Sequence, residues 1–320
     1  MNKKVAILTS GGDAPGMNNF IYELTRLLSQ DNVFVVEEGY KGLVKNNIKK
    51  ADIDLFEERR FNGGTIIYSA RYPEFKDKEV RQKAASNLKQ REIEYLVVVG
   101  GDGSITGADL LSEEGIKVIG VPATIDNDIF GTELTIGFQT ALETISNALG
   151  NIKDTSESHG RISIVEVMGR ECGDLAVNSS LGAQVDLISI PENKITEQEL
   201  IEKSIELRNN KRSVLVVVTE GMYDVHNLAK QIEEKSGFES RATVLGHIQR
   251  GGWASDSEMQ LTKAFAEKTT ELLKENKTNL YLVSDLELNI EALPIDQITK
   301  PKENTTTLSN LELFERLNGR

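Results

Sequence analysis

Apolar residues in this chain follow two rhythms. Unbroken runs at 96–99 and 118–121 read as strands buried on both faces of a parallel sheet. Each run stops where polar chemistry begins. The first gives way to Gly100-Gly101-Asp102-Gly103-Ser104 and a helical pattern over 105–114, the second to Thr124-Ile125-Asp126-Asn127-Asp128. Ligands of open α/β sheets collect at the carboxyl ends of such strands, so two carboxylate-bearing loops are expected side by side on one rim.

The same alternation runs through the rest of the chain. Residues 4–9 form a predicted strand, 10–16 a glycine-rich turn, and Met17, Ile21, Leu24 and Leu28 fall at helical spacing. A strand, glycine loop and helix in that order offer backbone N–H groups to an anion, although an unliganded turn fits as well, and the spacing is not the dinucleotide fingerprint. A second strand is predicted over 33–37 and a turn over 39–42. The polar stretch 45–60 carries no assignment. Residues 63–73 form a glycine-led segment containing Arg71, and 76–90 reads as a solvated helix. A helix over 138–151 is followed by an expected flexible break at 156–160, a candidate domain boundary. Strands follow over 161–167, 185–190, 214–219, 241–245 and 280–283, alternating with helices over 173–181, 196–209, 224–235 and 261–275, and a last short helix covers 308–317. This is the signature of doubly wound α/β sheets, and the 320 residues have room for two.

Charge narrows the function. A formal net charge of −13 argues against a nucleic-acid partner, and an anionic substrate therefore needs a locally positive pocket. No apolar run approaches the roughly 20 residues that span a bilayer. The start of the chain enters a strand pattern without a signal-peptide layout. With a single cysteine, Cys172, this fits a cytoplasmic enzyme without a membrane partner. Positive charge is supplied at strand ends and glycine motifs by Arg71, Arg161, Arg170, Arg241 and Arg250, where guanidinium forks suit phosphate. Asp102 is out of place in a phosphate-cradling loop unless Mg²⁺ lies between carboxylate and phosphates, the alternative being a turn or N-cap aspartate. Asp126 and Asp128 on the neighbouring loop supply a candidate base. The set suits phosphoryl transfer from a nucleotide to the hydroxyl of a phosphorylated acceptor. Glu220 and His247 are candidates to hydrogen-bond that acceptor.

The motifs LTSGGDAPGMN (8–18), SARYPEF (69–75), GGDGS (100–104), TIDND (124–128), TIGFQTAL (135–142), RISIVEVMGR (161–170), CGD (172–174), TEGM (219–222) and RATVLGHIQRGG (241–252) run from end to end of the chain. Together they resemble the bacterial ATP-dependent 6-phosphofructokinases. The resemblance implies two doubly wound, Rossmann-like parallel-sheet domains with the active site in the cleft between them. One would hold 1–137 with about 251–300 and bind ATP; the other would hold 138–250 with about 301–320 and bind fructose 6-phosphate. It implies Asp126 as the base, joined in the catalytic group by Asp128, Arg170 and Arg71, and Asp102 as the magnesium residue. Gly11, Arg71, Tyr72, Gly101, Asp102, Gly103 and Ser104 match ATP positions. Thr124, Ile125, Asp126, Met168, Gly169, Arg170, Glu220, His247, Ile248, Gln249 and Arg250 match sugar-phosphate positions. Arg161 and Arg241 also match sugar-phosphate positions, as arginines that reach a neighbouring subunit's site, which implies a homotetramer.

Departures from the family pattern carry their own expectations. The pyrophosphate-using branch has Asp where Gly103 stands and Lys where Ala123 stands, so Gly103 predicts ATP as donor. The implied effector pocket involves Tyr22, Arg26, Lys153, Asp186, Lys211 and Arg212. There Tyr22, Ile53 and Lys153 replace arginines, and Asn209 and Ser213 replace a lysine and a histidine, which implies weakened allosteric control. Tyr68 replaces a small glycine near the implied adenine position, and Trp253-Ala254 replaces Ser-Pro. Rival readings are a pyrophosphate-dependent or tagatose-6-phosphate kinase, and a non-catalytic sugar-phosphate sensor.

Overall fold

The computed structural model describes residues 3–318. The ends of the expected domain ranges, 1–2 and 319–320, lie outside them. Contacts divide the chain into two compact units. The first holds the residues up to Ile125, then Ile129–Thr140 and Arg250–Lys302. The second holds Asp126–Asp128, Ala141–Gln249 and the residues from Glu303 on.

In chain order the first unit contains β1 (Val5–Thr9), α1 (Met17–Leu28), β2 (Val33–Val36), α2 (Gly39–Val44), β3 (Ile48–Lys50), α3 (Ile53–Arg59), α4 (Lys78–Gln90), β4 (Tyr95–Gly100), α5 (Asp102–Ser112) and β5 (Lys117–Pro122). Helix α6 (Phe138–His159) has its first residues in the first unit and the rest in the second. The second unit continues with β6 (Ile162–Val167), α7 (Asp174–Gly182), β7 (Leu187–Ser189), α8 (Glu197–Asn210), β8 (Val214–Thr219), α9 (Val225–Ser236) and β9 (Ser240–Val244). The chain then returns to the first unit for α10 (Asp256–Lys274), β10 (Leu280–Ser284) and β11 (Ile290–Pro294), and ends in the second with α11 (Thr305–Leu317).

The first sheet has the order β11-β10-β5-β4-β1-β2-β3. It is parallel except at its edges, where β3 and β11 run antiparallel to their neighbours. The chain leaves β1 toward β2 on one side and resumes at β4 on the other, so the topological switch point lies between β1 and β4. The second sheet, β7-β8-β6-β9, is wholly parallel, and its switch point lies between β6 and β9. β1, β4 and β8 are buried throughout as largely apolar runs, and β6 is buried except at Glu166. A crevice opens at the carboxyl ends of strands at such points.

Asp52, Asp77, Thr196, Asp224 and Ser255 each cap their helix with a side-chain oxygen. The helices that follow β1, β4 and β6 instead begin after Gly16, Gly101 and Gly173, with no side-chain cap. Uncapped N–H groups at a helix start beyond a strand's carboxyl end are the kind that an anion can meet.

Several local expectations are corrected. Residues 156–160 are not a flexible break: α6 continues to His159, and Ser156 is buried, donating to the Ile152 carbonyl and facing the Ser163 hydroxyl. Residues 39–42 belong to α2 rather than to a turn. The unassigned 45–60 stretch forms β3 and α3. Helix α4 is not simply solvated, since Arg81, Ala84, Ala85, Asn87 and Leu88 are buried. The strand at 280–283 is one arm of a β10–β11 hairpin.

Candidate active site

The first crevice is walled by backbone. Ser10 N–H donates to the Val99 carbonyl at 3.1 Å, tying the turn after β1 to the end of β4. A Cβ at Gly100 would sit 2.5 Å from the Ser10 carbonyl oxygen, so only glycine permits this approach. Gly11 is held by the Ser69 hydroxyl, which donates to its carbonyl at 2.8 Å. Asp102 occupies the first turn of α5 and is exposed; Gly103 follows, also exposed, with nothing within 4 Å of the position a Cβ would take. Gly101 lies beside Thr124, and the Ala123 N–H donates to the Gly100 carbonyl, so the loops after β4 and β5 start side by side. Arg71 is exposed, and Tyr72 packs partly against the apolar core.

Arg250 groups with the first unit, and its guanidinium lies over Gly12, where a Cβ would come 2.1 Å from Nη1. Tyr40 carries no motif in the sequence. Its hydroxyl donates to the Ser104 carbonyl at 2.6 Å and its ring stacks on Phe75, fixing the first turn of α5. Burial pushes the Tyr40 phenol well above its ordinary range, so it stays a donor.

In the second unit, Asp126 is 1% exposed and its Oδ2 lies 3.2 Å from Nε of Arg170. A buried carboxylate is tolerated when a cation compensates it. Arg170 itself sits at φ +53°, and its N–H donates to Glu220 Oε1 at 3.3 Å. Gly169, at φ +139°, makes the turn possible: a Cβ there would lie 2.3 Å from the Cys172 carbonyl oxygen. Met168 is buried, and its N–H donates to Gln249 Oε1, while Gln249 Nε2 donates to the Gly246 carbonyl. Gln249 is therefore spent on bracing the β6 and β9 ends against each other, whereas His247 and Ile248 beside it are exposed. Arg161 and Arg241 both pair with Glu239, and Arg241 also with Glu233. The hydrogen bond from Arg161 holds the Glu239 carboxyl below its usual range.

Two glycine-lined switch-point crevices, one with an exposed carboxylate and one with a buried carboxylate beside a guanidinium, are the equipment of a phosphoryl-transfer enzyme. The profile of the family described as Phosphofructokinase matches residues 4–273.

The chain belongs to the phosphofructokinase family.

Within that family it is 45% identical over 304 residues to ATP-dependent 6-phosphofructokinase 1 of Clostridium perfringens, covering 92% of this chain and 95% of that one. It is 50% identical over 254 residues to ATP-dependent 6-phosphofructokinase of Haemophilus ducreyi, covering 78% of each. Among solved structures, phosphofructokinase from Saccharomyces cerevisiae superposes with a TM-score of 0.82 at 32% identity. That match covers 98% of this chain but only 46% of the yeast chain. A pyrophosphate-dependent phosphofructokinase from Marinobacter aquaeolei, 20% identical with a TM-score of 0.84, shares the fold.

The second unit of this phosphofructokinase also holds a cavity of about 670 Å³ lined in part by Lys153, Asp186, Lys211 and Arg212. Asp186 is buried and takes both lysines, Lys211 at 2.6 Å and Lys153 at 3.4 Å, while Arg212 donates to the Glu157 and Ser158 carbonyls. Tyr22 and Arg26 stand on α1 in the first unit. Arg26 is paired with Glu23, and Tyr22 is stacked under Arg60.

A buried acid outside the expected set braces the start of α6. Glu258, near the start of α10, accepts from Thr140 N–H at 3.3 Å and from the Thr140 hydroxyl at 3.2 Å. Burial pushes its carboxyl up to about 7, against the opposing pull of the Gly137, Thr140 and Gln139 backbone. A folded-state pKa above the unfolded one gives stability that is complete below the ordinary glutamate range and lost as pH rises through about 7. The loss between about pH 5.5 and pH 8 is about 2 kcal/mol, or roughly 4 °C in Tm. Glu258→Gln removes the titration. Its Tm relative to wild type is expected to rise by that amount over the interval in thermal melts, and a pH-independent difference would refute the assignment.

Proposed function

We propose that the chain transfers the γ-phosphate of ATP to the 1-hydroxyl of fructose 6-phosphate, giving fructose 1,6-bisphosphate and ADP. The observation that carries this reading is the pair formed by buried Asp126 and half-exposed Arg170 at 3.2 Å. A carboxylate able to take a proton, next to a cation able to take a phosphate, suits attack by a sugar hydroxyl. Asp126 accepts the hydroxyl proton as the oxygen attacks the γ-phosphorus and the bond to ADP breaks. Arg170 turns to the transferring phosphate, and Asp128 follows the base two residues on. Thr124, Ile125, Met168, Gly169, Glu220 and His247 hold the sugar phosphate, and Arg250 is available to phosphate from beside Gly12. Gly11, Arg71, Tyr72 and Gly101–Ser104 take the nucleotide, with Gly103 leaving room for its phosphates.

Asp102 fits the magnesium role: it is an exposed carboxylate at an uncapped helix start, flanked by Gly101 and Gly103. One carboxylate is the share a protein gives to Mg²⁺ that otherwise keeps water and substrate phosphate oxygens. Bound there, the ion would neutralise charge on the donor phosphates.

Arg161 and Arg241 serve a neighbouring subunit in a homotetramer on this reading, exchanging Glu239 and Glu233 for phosphate. No helix among the described residues is long and apolar enough to cross a membrane, and a cytoplasmic location suits the proposed reaction.

A coupled assay with fructose 6-phosphate and ATP, GTP or pyrophosphate tests the reading. Turnover with ATP is expected to exceed that with pyrophosphate by at least about 10-fold, and tagatose 6-phosphate is expected to be the poorer acceptor. Faster turnover with pyrophosphate overturns the donor assignment, and no turnover with any donor overturns the enzyme in favour of a sensor. In the same assay, millimolar ADP or phosphoenolpyruvate is expected to change the rate by less than about 2-fold, below ordinary allosteric coupling. The reason is that Asp186 already engages Lys153 and Lys211. Strong sigmoidal inhibition would overturn that part.

A further inference from the structure

Proton abstraction at Asp126 makes no use of Asp174, yet Asp174 is buried against the loop that carries the base. It opens α7 and is 4% exposed. Its Oδ2 accepts from Asn127 Nδ2 at 2.8 Å, and its Oδ1 accepts from the Thr307 hydroxyl on α11. Asn127 is the middle residue of the Asp126–Asp128 segment. It is buried and held at φ +54°, a left-handed conformation that a non-glycine residue adopts at a cost. Thr307 is fully buried.

The turn that supplies Asp174 is itself immobilised. The Cys172 N–H donates to the Gly169 carbonyl, the Gly173 N–H donates to Glu192 Oε1 at 2.9 Å, and a Cβ at Gly173 would lie 2.7 Å from Ile190 Cβ. On α7, Asn178 Nδ2 donates to the Asp174 carbonyl, and Asn178 Oδ1 accepts from Asn310 of α11 at 3.0 Å. One short segment, 168–174, therefore holds two successive residues: Arg170 holds Asp126, and Asp174 holds Asn127. The two holds differ in kind. Arg170 has a side chain 48% exposed, and on the proposed function it turns to phosphate during the reaction. The Asp174–Asn127 bond is buried and does not have to break.

We propose that Asp174 is the positioning residue for the base, acting through Asn127, and that Thr307 of the C-terminal helix completes the clamp. The inference rests on the assignment of Asp126 as base. When Arg170 leaves Asp126, the buried bond keeps the loop backbone in its left-handed turn and the carboxylate aimed. A misplacement of about 1 Å at a reacting group costs on the order of 10²-fold in rate.

The full-length chain tests this through kcat and KM for both substrates, with Tm recorded for each variant. Asp174→Ala is expected to lower kcat on the order of 10²-fold while KM for ATP stays within about 2-fold, because the nucleotide residues are elsewhere in the chain. Asp174→Asn is expected to regain most of that loss, since a flipped Asn127 amide can accept from the new N–H. Asn127→Ala is expected to match Asp174→Ala, and the double variant to be no worse than either single one. Thr307→Val is expected to lose a smaller part of kcat. Additive losses, retained kcat in Asp174→Ala, or a parallel rise in the ATP KM would overturn the clamp. If Asp174→Ala does not fold, Asp174→Asn and Asn127→Ala decide, since unchanged kcat in Asn127→Ala also overturns it. Hydrogen exchange separates this inference from the function. Amides of residues 124–130 are expected to lose protection in Asp174→Ala, or in Asn127→Ala where Asp174→Ala does not fold, whatever the acceptor proves to be. Unchanged protection refutes the clamp even if the wild type phosphorylates fructose 6-phosphate. Absence of turnover in the wild type refutes the function alone.

Discussion

Asp126→Asn is expected to give a folded chain whose turnover with ATP and fructose 6-phosphate falls by about 10²- to 10⁴-fold, the range set by loss of a positioned base. That is about 3–5 kcal/mol on the barrier. The substitution keeps shape, and an Asn oxygen can occupy the position of Oδ2, 3.2 Å from Arg170 Nε, so the loop after β5 has no steric reason to move. What disappears is the capacity to take the proton from the attacking hydroxyl. Stability should change little, because two effects oppose each other. The ion pair with a half-exposed guanidinium contributes modestly, and removing a buried charge relieves its desolvation. KM for fructose 6-phosphate is expected to stay within a few fold, since base catalysis is a transition-state interaction. Steady-state kinetics beside a thermal melt check this. A folded variant with turnover within about 5-fold of wild type would remove Asp126 from the mechanism, because a base at the reacting hydroxyl cannot contribute so little.

The residues that carry chemistry in this chain are legible because they stand in or beside glycine turns at strand ends. A sheet buried on both faces needs continuous apolar strands, and a ligand at the switch point needs small residues just beyond them. Hence β1 with Ser10–Gly12, β4 with Gly100–Ser104 and β6 with Met168–Arg170 can all be picked out along the sequence. The supports cannot, because their logic is tertiary. Tyr40 serves Ser104 across 64 residues, Glu258 braces Thr140 across 118, and Thr307 reaches Asp174 across 133. None of these pairs leaves a local pattern. The continuation of α6 through Ser156 was hidden for a related reason. A run of small polar residues signals a break only when its backbone faces water. Here Ser156 is buried against Ser163 of β6, and tertiary contact outweighs weak helix propensity. Helix α4 misled in the opposite direction: its composition is polar, yet Ala84, Ala85 and Leu88 form a narrow apolar stripe that packs on the core. Antiparallel edges escaped notice because β3 is short and half exposed, with no alternation long enough to register.

Gly103→Asp is the second large effect, and it separates binding of the donor from integrity of the fold. Glycine at this position is not required by the chain itself. Its φ is not positive, and a Cβ added there meets nothing within 4 Å. The residue lies in the first turn of α5, where an acidic side chain is favoured by about 0.3–1 kcal/mol. Asp also has better helix propensity than Gly. Tm is therefore expected to stay level or rise slightly. The open space is instead what a chain of phosphates needs, and a second carboxylate beside Asp102 would place like charge against them. Such juxtaposition costs several kcal/mol, so kcat/KM for ATP is expected to fall on the order of 10²-fold or more. Fructose 6-phosphate is expected to keep its KM within about 2-fold, because the residues assigned to it lie outside this turn. Gly103→Ala supplies the control: it fills the same space with a methyl group and no charge, and is expected to lose much less. Retention of ATP kcat/KM within about 3-fold in Gly103→Asp would mean that the phosphates do not pass over this turn, since several kcal/mol of repulsion cannot hide in so small a change. The donor site would then have to be sought away from the carboxyl end of β4.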